Sequence, residues 1–412
     1  MHDRVEAVFR EEHGLLLAAL VHRFGDLDLA EEVASEAVEA ALRTWPRDGV
    51  PTKPGAWLMT TARRRAVDRL RRDRTYADRL AVLAAEGERH EPAPEIADGL
   101  PDERLRLFFT CAHPALPAEH RTALTLRCLA GLETPEVARA FLVPTATMAQ
   151  RIVRAKRKIR EARIPFRVPG PDELADRLPG VLQVVYLVFT AGYADDRVDL
   201  AAEAIRLGRI LHRLLCRGSG SQAPPPPTRE VAGLLGLMLL THARHETRLV
   251  PLEEQDRTRW DADLITEGTA LAEAALTGGP PGPYGVQAAI AAVHAEAPDL
   301  ARTDWPQIVA LYDVLHRLVP SPVVALNRAA AVAMRDGPEA GLALLDGLAA
   351  DPALRTYPLL PAARADLLER LGRTAEAEAA YRAALDLADS ETERVRLRNR
   401  LDRIGRTGTV AE

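Results

Sequence analysis

Aromatic side chains make up only 4 % of this 412-residue chain, and stretches that combine β-branched residues with period-two alternation are few. A sheet-rich core is thereby excluded; the Ala, Leu, Arg and Glu that dominate instead favour an almost wholly helical protein. Cysteine is as scarce. Cys111, Cys128 and Cys216 are odd in number and far apart, which excludes a disulfide framework and suits a reducing cytosol. The opening Met1-His2-Asp3-Arg4 lacks an apolar stretch of signal-peptide length, and the apolar run Leu234 to Leu240 is far too short to cross a bilayer. A cytoplasmic protein without a membrane partner is the expectation. Glycine-rich phosphate loops are absent, and no nucleophile, base and orienting group converge in any motif, so neither catalytic residues nor a cofactor are expected.

What is present is apolar content ample for packed cores, 47 %, in a chain longer than a single core normally fills, which points to two to four domains. The formal net charge of -5 argues against nucleic acid only if it is spread evenly. Instead the basic residues come in blocks. Arg63, Arg64, Arg65, Arg69, Arg71, Arg72 and Arg74 form one; Arg151, Arg154, Lys156, Arg157, Lys158, Arg160, Arg163 and Arg167 form the other, each on a predicted helix. A mildly acidic whole has room for two local phosphate-binding surfaces.

Apolar residues at three- and four-residue spacing predict helices from Val5 to about Arg79, with Asp26 and Asp28 as turn and cap residues, Trp45-Pro46 closing the second helix and a third beginning near Trp57. The segment from Ala84 to Pro101 mixes charge, Pro, Gly and Ala without periodicity and reads as a linker. Four helices are expected between Glu103 and Arg163. Gly218 to Ala223, followed by Pro224 to Pro227, reads as a flexible-then-stiff loop. Near the C-terminus, Gly337-Pro338-Glu339-Ala340-Gly341-Leu342 and Gly372-Arg373-Thr374-Ala375-Glu376-Ala377 recur at close to the tetratricopeptide period of roughly 34 residues, which suggests stacked helix pairs.

The most informative segment is LETPEVARAFLVPTATMAQRIVRAKRKI, Leu132 to Ile159. Thr134 is placed to cap a helix whose first position is Pro135 and which ends near Phe141. Leu142, Val143 and Pro144 make a short turn, and Thr145 or Thr147 caps a second helix with Met148, Ile152, Ala155 and Ile159 on one face. The other face presents Gln150, Arg151, Arg154, Arg157 and Lys158, the residue types that reach base edges and phosphates in a major groove. A basic helix alone is as readily a solvated face; the capped pair across a short turn favours DNA.

AEEVASEAVEAALRTWP (Ala30 to Pro46) and AWLMTTARRRAVDRLRR (Ala56 to Arg72) resemble the conserved second region of extracytoplasmic-function (ECF) sigma factors, and the helix-turn-helix resembles their fourth. LFFTCAHPALPAEHRTALTLR (Leu107 to Arg127) and LNRAAAVAM (Leu326 to Met334) resemble the subgroup with a helical, repeat-like extension. The resemblance implies an all-α protein divided as residues 1–80 (region 2), 81–101 (linker), 102–165 (region 4), 166–290 (helical extension) and 291–412 (TPR-like repeats). It implies an alternative sigma factor that binds the clamp helices and flap of core RNA polymerase and promoter DNA, with a possible regulatory protein at the extension. Asp28, Glu31, Glu32 and Glu36 are then the polymerase-binding candidates. Arg63, Arg64, Arg71 and Arg72 face the −10 element, with the loop from Arg47 to Pro54 as a candidate pocket for an unpaired base; Thr147, Gln150, Arg151, Arg154, Arg157 and Lys158 face the −35 element. Asp68 suits ordering Arg64 or Arg72 by helical spacing. Three positions depart from the family pattern: Arg64 stands where Asn is frequent, Ser35 where Gln is, and Leu142 at a turn position that is often Gly.

Two clusters are set aside. Cys111-Ala112-His113 with Cys128 lacks the paired spacing of a zinc site, and no metal is expected there. In THARHE the two histidines, His242 and His245, are three apart with Glu246 adjacent, unlike the metalloprotease pattern. The run Leu252-Glu253-Glu254-Gln255-Asp256-Arg257 with Trp260 reads as a structural signature with charges paired between helices. The alternatives are a helix-turn-helix regulator with a helical ligand- or partner-sensing domain, and an enzyme or scaffold carried by the extension.

Overall fold

The structure, a computed structural model, describes residues 2–72, 103–141, 143–194, 198–216, 226–247, 250, 252–388 and 391–408. Every regular element among them is a helix. The expected linker, 81–101, lies outside the described residues, as do Leu142 and most of the Gly- and Pro-rich loop. The chain divides into two compact units, one made of Met1–Gly192 with Asp199–Arg217, the other of Tyr193–Val198 with Gly218–Glu412. The cut falls inside 166–290, whose first two helices join the N-terminal unit.

In that unit α1 (His2–Phe24), α2 (Leu27–Asp48) and α3 (Pro54–Arg72) pack mutually. Asp26 caps α2 by accepting from the N–H groups of Asp28 and Leu29 at 2.9 and 3.1 Å. Pro46 does not close α2: the helix runs on to Asp48 and stops at Gly49, whose φ of 82° only glycine adopts readily. Trp45, 2 % exposed, meets Trp57 edge-on at 5.4 Å and joins α2 to α3. Then come α4 (Glu103–Cys111), α5 (Ala118–Cys128), α6 (Thr134–Ala140) and α7 (Thr145–Glu161), the four helices expected. Two helices from beyond residue 165, α8 (Pro171–Ala194) and α9 (Val198–Cys216), complete the unit. Arg177 of α8 donates to the Phe109 carbonyl at 2.9 Å, and Arg206 of α9 to the Leu129 carbonyl at 3.3 Å.

The second unit is organised around α10 (Pro226–His242). Pro226 and Pro227, expected in the loop, open this helix, where a missing N–H costs nothing. Residues 231–240 are buried without interruption, as a helix apolar on all sides must be. It packs on α11 (Ala262–Leu276) and α12 (Pro283–Glu296). The contact is backbone-close: a Cβ on Gly233 would lie 2.5 Å from Gly285 N. Glu230 caps α12 from outside, accepting from Tyr284 and Gly285 N–H at 3.1 Å each. Successive helices then stack in sequence: α13 (Trp305–Leu318), α14 (Pro322–Asp336), α15 (Pro338–Leu348), α16 (Leu359–Arg370), α17 (Thr374–Leu387) and α18 (Glu391–Gly408). Both repeat glycines take positive φ, 103° at Gly337 and 70° at Gly372, each just before the second helix of a pair. The acidic run is paired between helices: Arg400 of α18 reaches Glu253 at 2.9 Å and Asp366 at 3.5 Å, and Arg403 reaches Glu254 at 2.7 Å.

Candidate nucleic-acid interface

α6 and α7 form the helix pair expected from the sequence, joined by Phe141 to Pro144. Their starts are built differently from the expectation. Glu136 folds back to accept the Glu133 N–H at 2.7 Å, so Glu133 precedes the helix that Thr134 begins. Pro144 occupies the position before α7 and no side chain caps it, which leaves Thr147 exposed in the first turn. Met148, Ile152 and Ala155 are buried, 1 %, 5 % and 0 % exposed. The outward face carries Gln150, Arg154, Arg157 and Lys158, all exposed. Arg157 sits 3.5 Å from Glu161 one turn on. Arg151 is half-buried and held by Glu119 of α5 at 2.8 Å. Sequence reading missed Val153, which stands 63 % exposed one turn after Gln150 and one turn before Arg157; a lone exposed apolar residue carries no periodic signal.

On α3 the buried stripe is Leu58, Ala62, Ala66 and Leu70. Arg64 and Arg71 are exposed, whereas Arg63 is half-buried and its pKa is lowered by burial and by Arg23. The side chain of Arg72 is outside what is described. Arg65 and Arg69, in the same basic block but not among the −10 candidates, turn toward α2. Arg69 lies 2.6 Å from Glu32 and 3.6 Å from Glu36, and Arg65 lies 3.7 Å from Glu36.

The other two acidic candidates meet the second basic block. Asp28 accepts from Lys156 of α7 at 3.0 Å and pairs with Arg160; Glu31 also pairs with Lys156 and lies 3.8 Å from Arg127. Neither Lys156 nor Arg160 could be assigned this role from spacing, because the partners are more than a hundred residues away. The buried Cys128 thiol donates to Glu31 at 3.7 Å, and its hydrogen bond with Cys111, then burial, hold its pKa well above the ordinary thiol value. His113 accepts from the Ala115 N–H at 3.1 Å, a turn role.

α1 is fitted to the same region. His13, 4 % exposed, donates from Nε2 to the Arg127 carbonyl at 3.2 Å and lies against Gly131, where a Cβ would meet its ring at 3.1 Å. Burial, then Arg127 and Arg206, lower its pKa to about 4, so the ring is neutral at pH 7. A Cβ on Gly14 would come within 2.9 Å of the Leu129 carbonyl oxygen.

A three-helix unit with a basic face and a helix-turn-helix unit in that order define a DNA-binding transcription protein. The pattern of sigma-70 region 2 matches residues 8–75, that of sigma-70 region 4 matches 109–159, and a family of unknown function, DUF6596, matches 177–276. An uncharacterized protein of Rhizobium meliloti is 42 % identical over 96 % of this chain and 95 % of its own length. A probable ECF RNA polymerase sigma factor, SigI, of Mycobacterium tuberculosis is 28 % identical over 40 % of this chain and 58 % of its own. No solved structure matches. The chain belongs to the sigma-70 family, as an ECF-type alternative sigma factor that directs transcription initiation and carries a C-terminal extension. That family is not one of enzymes, and no helix among the described residues is long and apolar enough to cross a membrane.

Proposed function

We propose that this sigma factor works in the cytoplasm without chemistry of its own, docking core polymerase through Asp28, Glu31, Glu32 and Glu36. In this reading α3 meets the −10 element through Arg63, Arg64, Arg71 and Arg72, and α7 enters the major groove at the −35 element. The observation that carries it is the split of α7 into a buried Met148–Ile152–Ala155 face and an exposed Gln150–Arg154–Arg157–Lys158 face. Gln150 and Arg154 suit base edges, Thr147, Arg157 and Lys158 suit phosphates, and Glu119 orients Arg151. Val153 supplies the apolar contact that a thymine methyl accepts. The extension, residues 166–412, regulates activity by holding a partner protein. Supporting that role is a cavity of about 280 Å³ in the second unit, whose lining includes Trp305, Tyr312, Asn327, Met334, Asp366 and Arg370.

The test is transcription by purified core polymerase, with and without this protein, on upstream sequences from its own genome. Promoter-selective initiation that disappears in Gln150→Ala with Arg154→Ala is expected. Absence of polymerase binding, together with tight dimeric binding to duplex DNA, would replace the reading with that of a helix-turn-helix regulator.

A further inference from the structure

In the second unit, residues of α12 to α16 and of the turn at Glu253 line the cavity of about 280 Å³. Ligand pockets run from roughly 300 to 1,000 Å³, so this one admits a side chain or a small metabolite and no folded element. Its floor is apolar, with Ile308, Leu345 and Leu367 buried, and Trp305 and Tyr312 add aromatic wall. Trp305 is set edge-on against His294 at 5.2 Å. Burial, then Arg244 and Arg257, hold the His294 pKa at about 4, so the imidazole brings no charge at pH 7.

The charged groups on the lining are Glu253, Asp366 and Arg370. Behind them the Arg400 guanidinium is shared among three carboxylates: Glu253 at 2.9 Å, Asp366 at 3.5 Å and Glu369 at 3.8 Å. Arg403 takes Glu254 at 2.7 Å and Glu369 at 3.2 Å. Arg370 stays exposed, with Nη1 3.3 Å from the Met334 sulfur. Four carboxylates in this cluster thus meet three guanidiniums, and Asp366 is held most loosely. Its 3.5 Å contact lies beyond the roughly 2.7–3.2 Å of an ordinary N–H···O bond, and 41 % of its side chain is accessible. Burial pushes its pKa up, and Arg400 offsets this only in part.

Resting on the reading that the extension holds a partner, we propose that this cavity accepts an organic cation, an ammonium or guanidinium group on an apolar stem. Asp366 and Glu253 receive the charge through charge-assisted hydrogen bonds, and the stem lies against Trp305 and Tyr312, whose ring faces also attract cations. A basic side chain of the partner protein and a free amine present the same chemistry. A phosphate or other anion would meet a net charge of its own sign.

The test is ligand-observed NMR titration of the full-length protein with 2-phenylethylammonium and with the amide-capped tripeptide acetyl-alanyl-arginyl-alanine. The neutral controls are 2-phenylethanol and the same peptide with citrulline for arginine. A cation should bind at one site at least about tenfold more tightly than its neutral counterpart, as a hydrogen bond to a charged group implies. Binding should fall by a similar factor in Asp366→Asn. Should that variant not fold, Ala330→Trp, at an exposed position on the lining, should fill the cavity and abolish binding with the melting temperature kept. Tighter binding of the peptide assigns the site to a partner's side chain; binding of the amine alone supports the cation site and removes the partner reading. Equal binding of neutral and charged probes, no binding of either cation, or binding undiminished in Ala330→Trp overturns the proposal. None of these readouts involves polymerase or DNA, so the sigma-factor reading stands or falls by the transcription test alone.

Discussion

At the scale of single residues, ion pairing separates two kinds of arginine that look alike in the sequence. Arg154 is exposed on α7 and Arg69 is bound to α2 carboxylates, although both sit in basic blocks. Gln150→Ala or Arg154→Ala should leave thermal stability within about 0.5 kcal/mol, as for other surface changes. Each should weaken promoter binding by about 1–3 kcal/mol, measured by competition with altered −35 sequences. His13 gives a second prediction. Its folded pKa, about 4, lies below the unfolded 6.5. Between these values the unfolded chain binds more protons, so stability rises as pH increases from 4 to 6.5 and is flat above for this group. The span is on the order of 3 kcal/mol. Denaturant unfolding at pH 4.5 and 7 should show that slope, diminished in His13→Gln. His294, also lowered to about 4 by burial and by Arg244 and Arg257, acts in the same direction in the second unit.

At the scale of elements, helix propensity and packing disagree at the close crossings. Exposed in an isolated helix, Gly14→Ala would gain about 1 kcal/mol. Here the added methyl meets a backbone oxygen, and overpacking costs about 1–3 kcal/mol. The melting temperature of Gly14→Ala should therefore fall, and Gly233→Ala, aimed at the Gly285 backbone, should lower stability too. A rise in either would mean that the helices separate freely. The stripe of α7 was legible because 3.6-residue periodicity places Met148, Ile152 and Ala155 on one side whatever the partner, as it does Leu58, Ala62, Ala66 and Leu70 on α3. The end of α2 was not. Pro46 reads as a stop because its ring removes an i→i−4 hydrogen bond, yet the helix runs on to Asp48 and ends at Gly49 with its positive φ.

At the scale of the molecule, the natural place to cut the chain is residue 217 rather than 167. α8 and α9 satisfy the Phe109 and Leu129 carbonyls of the helix-turn-helix half through Arg177 and Arg206. A protein ending at Arg217 should give a cooperative melt, whereas one ending at Arg167 should unfold at lower temperature and lose helical signal, as circular dichroism would report. Equal melting of the two would show that α8 and α9 contribute nothing to the sigma core. Raised salt should also loosen the pairing of Asp28 and Glu31 with α7, since charge pairs near the surface are screened within about 10 Å at 0.1 M.

The amino-acid order by itself determined the all-helical class, the two basic blocks, the helix-turn-helix with its exposed and buried faces, and the family to which the chain belongs. These are local properties, set by periodicity, turn chemistry and motif order. Only the tertiary structure decided which charges are engaged. That Lys156 and Arg160 close on Asp28 and Glu31, that Arg206 serves the Leu129 turn, and that Arg400 gathers Glu253 and Asp366 depends on distances across more than thirty to more than a hundred residues of chain. A charge announces itself in a sequence, but its partner is chosen by the packing of apolar faces that carry no label of which helix they will meet.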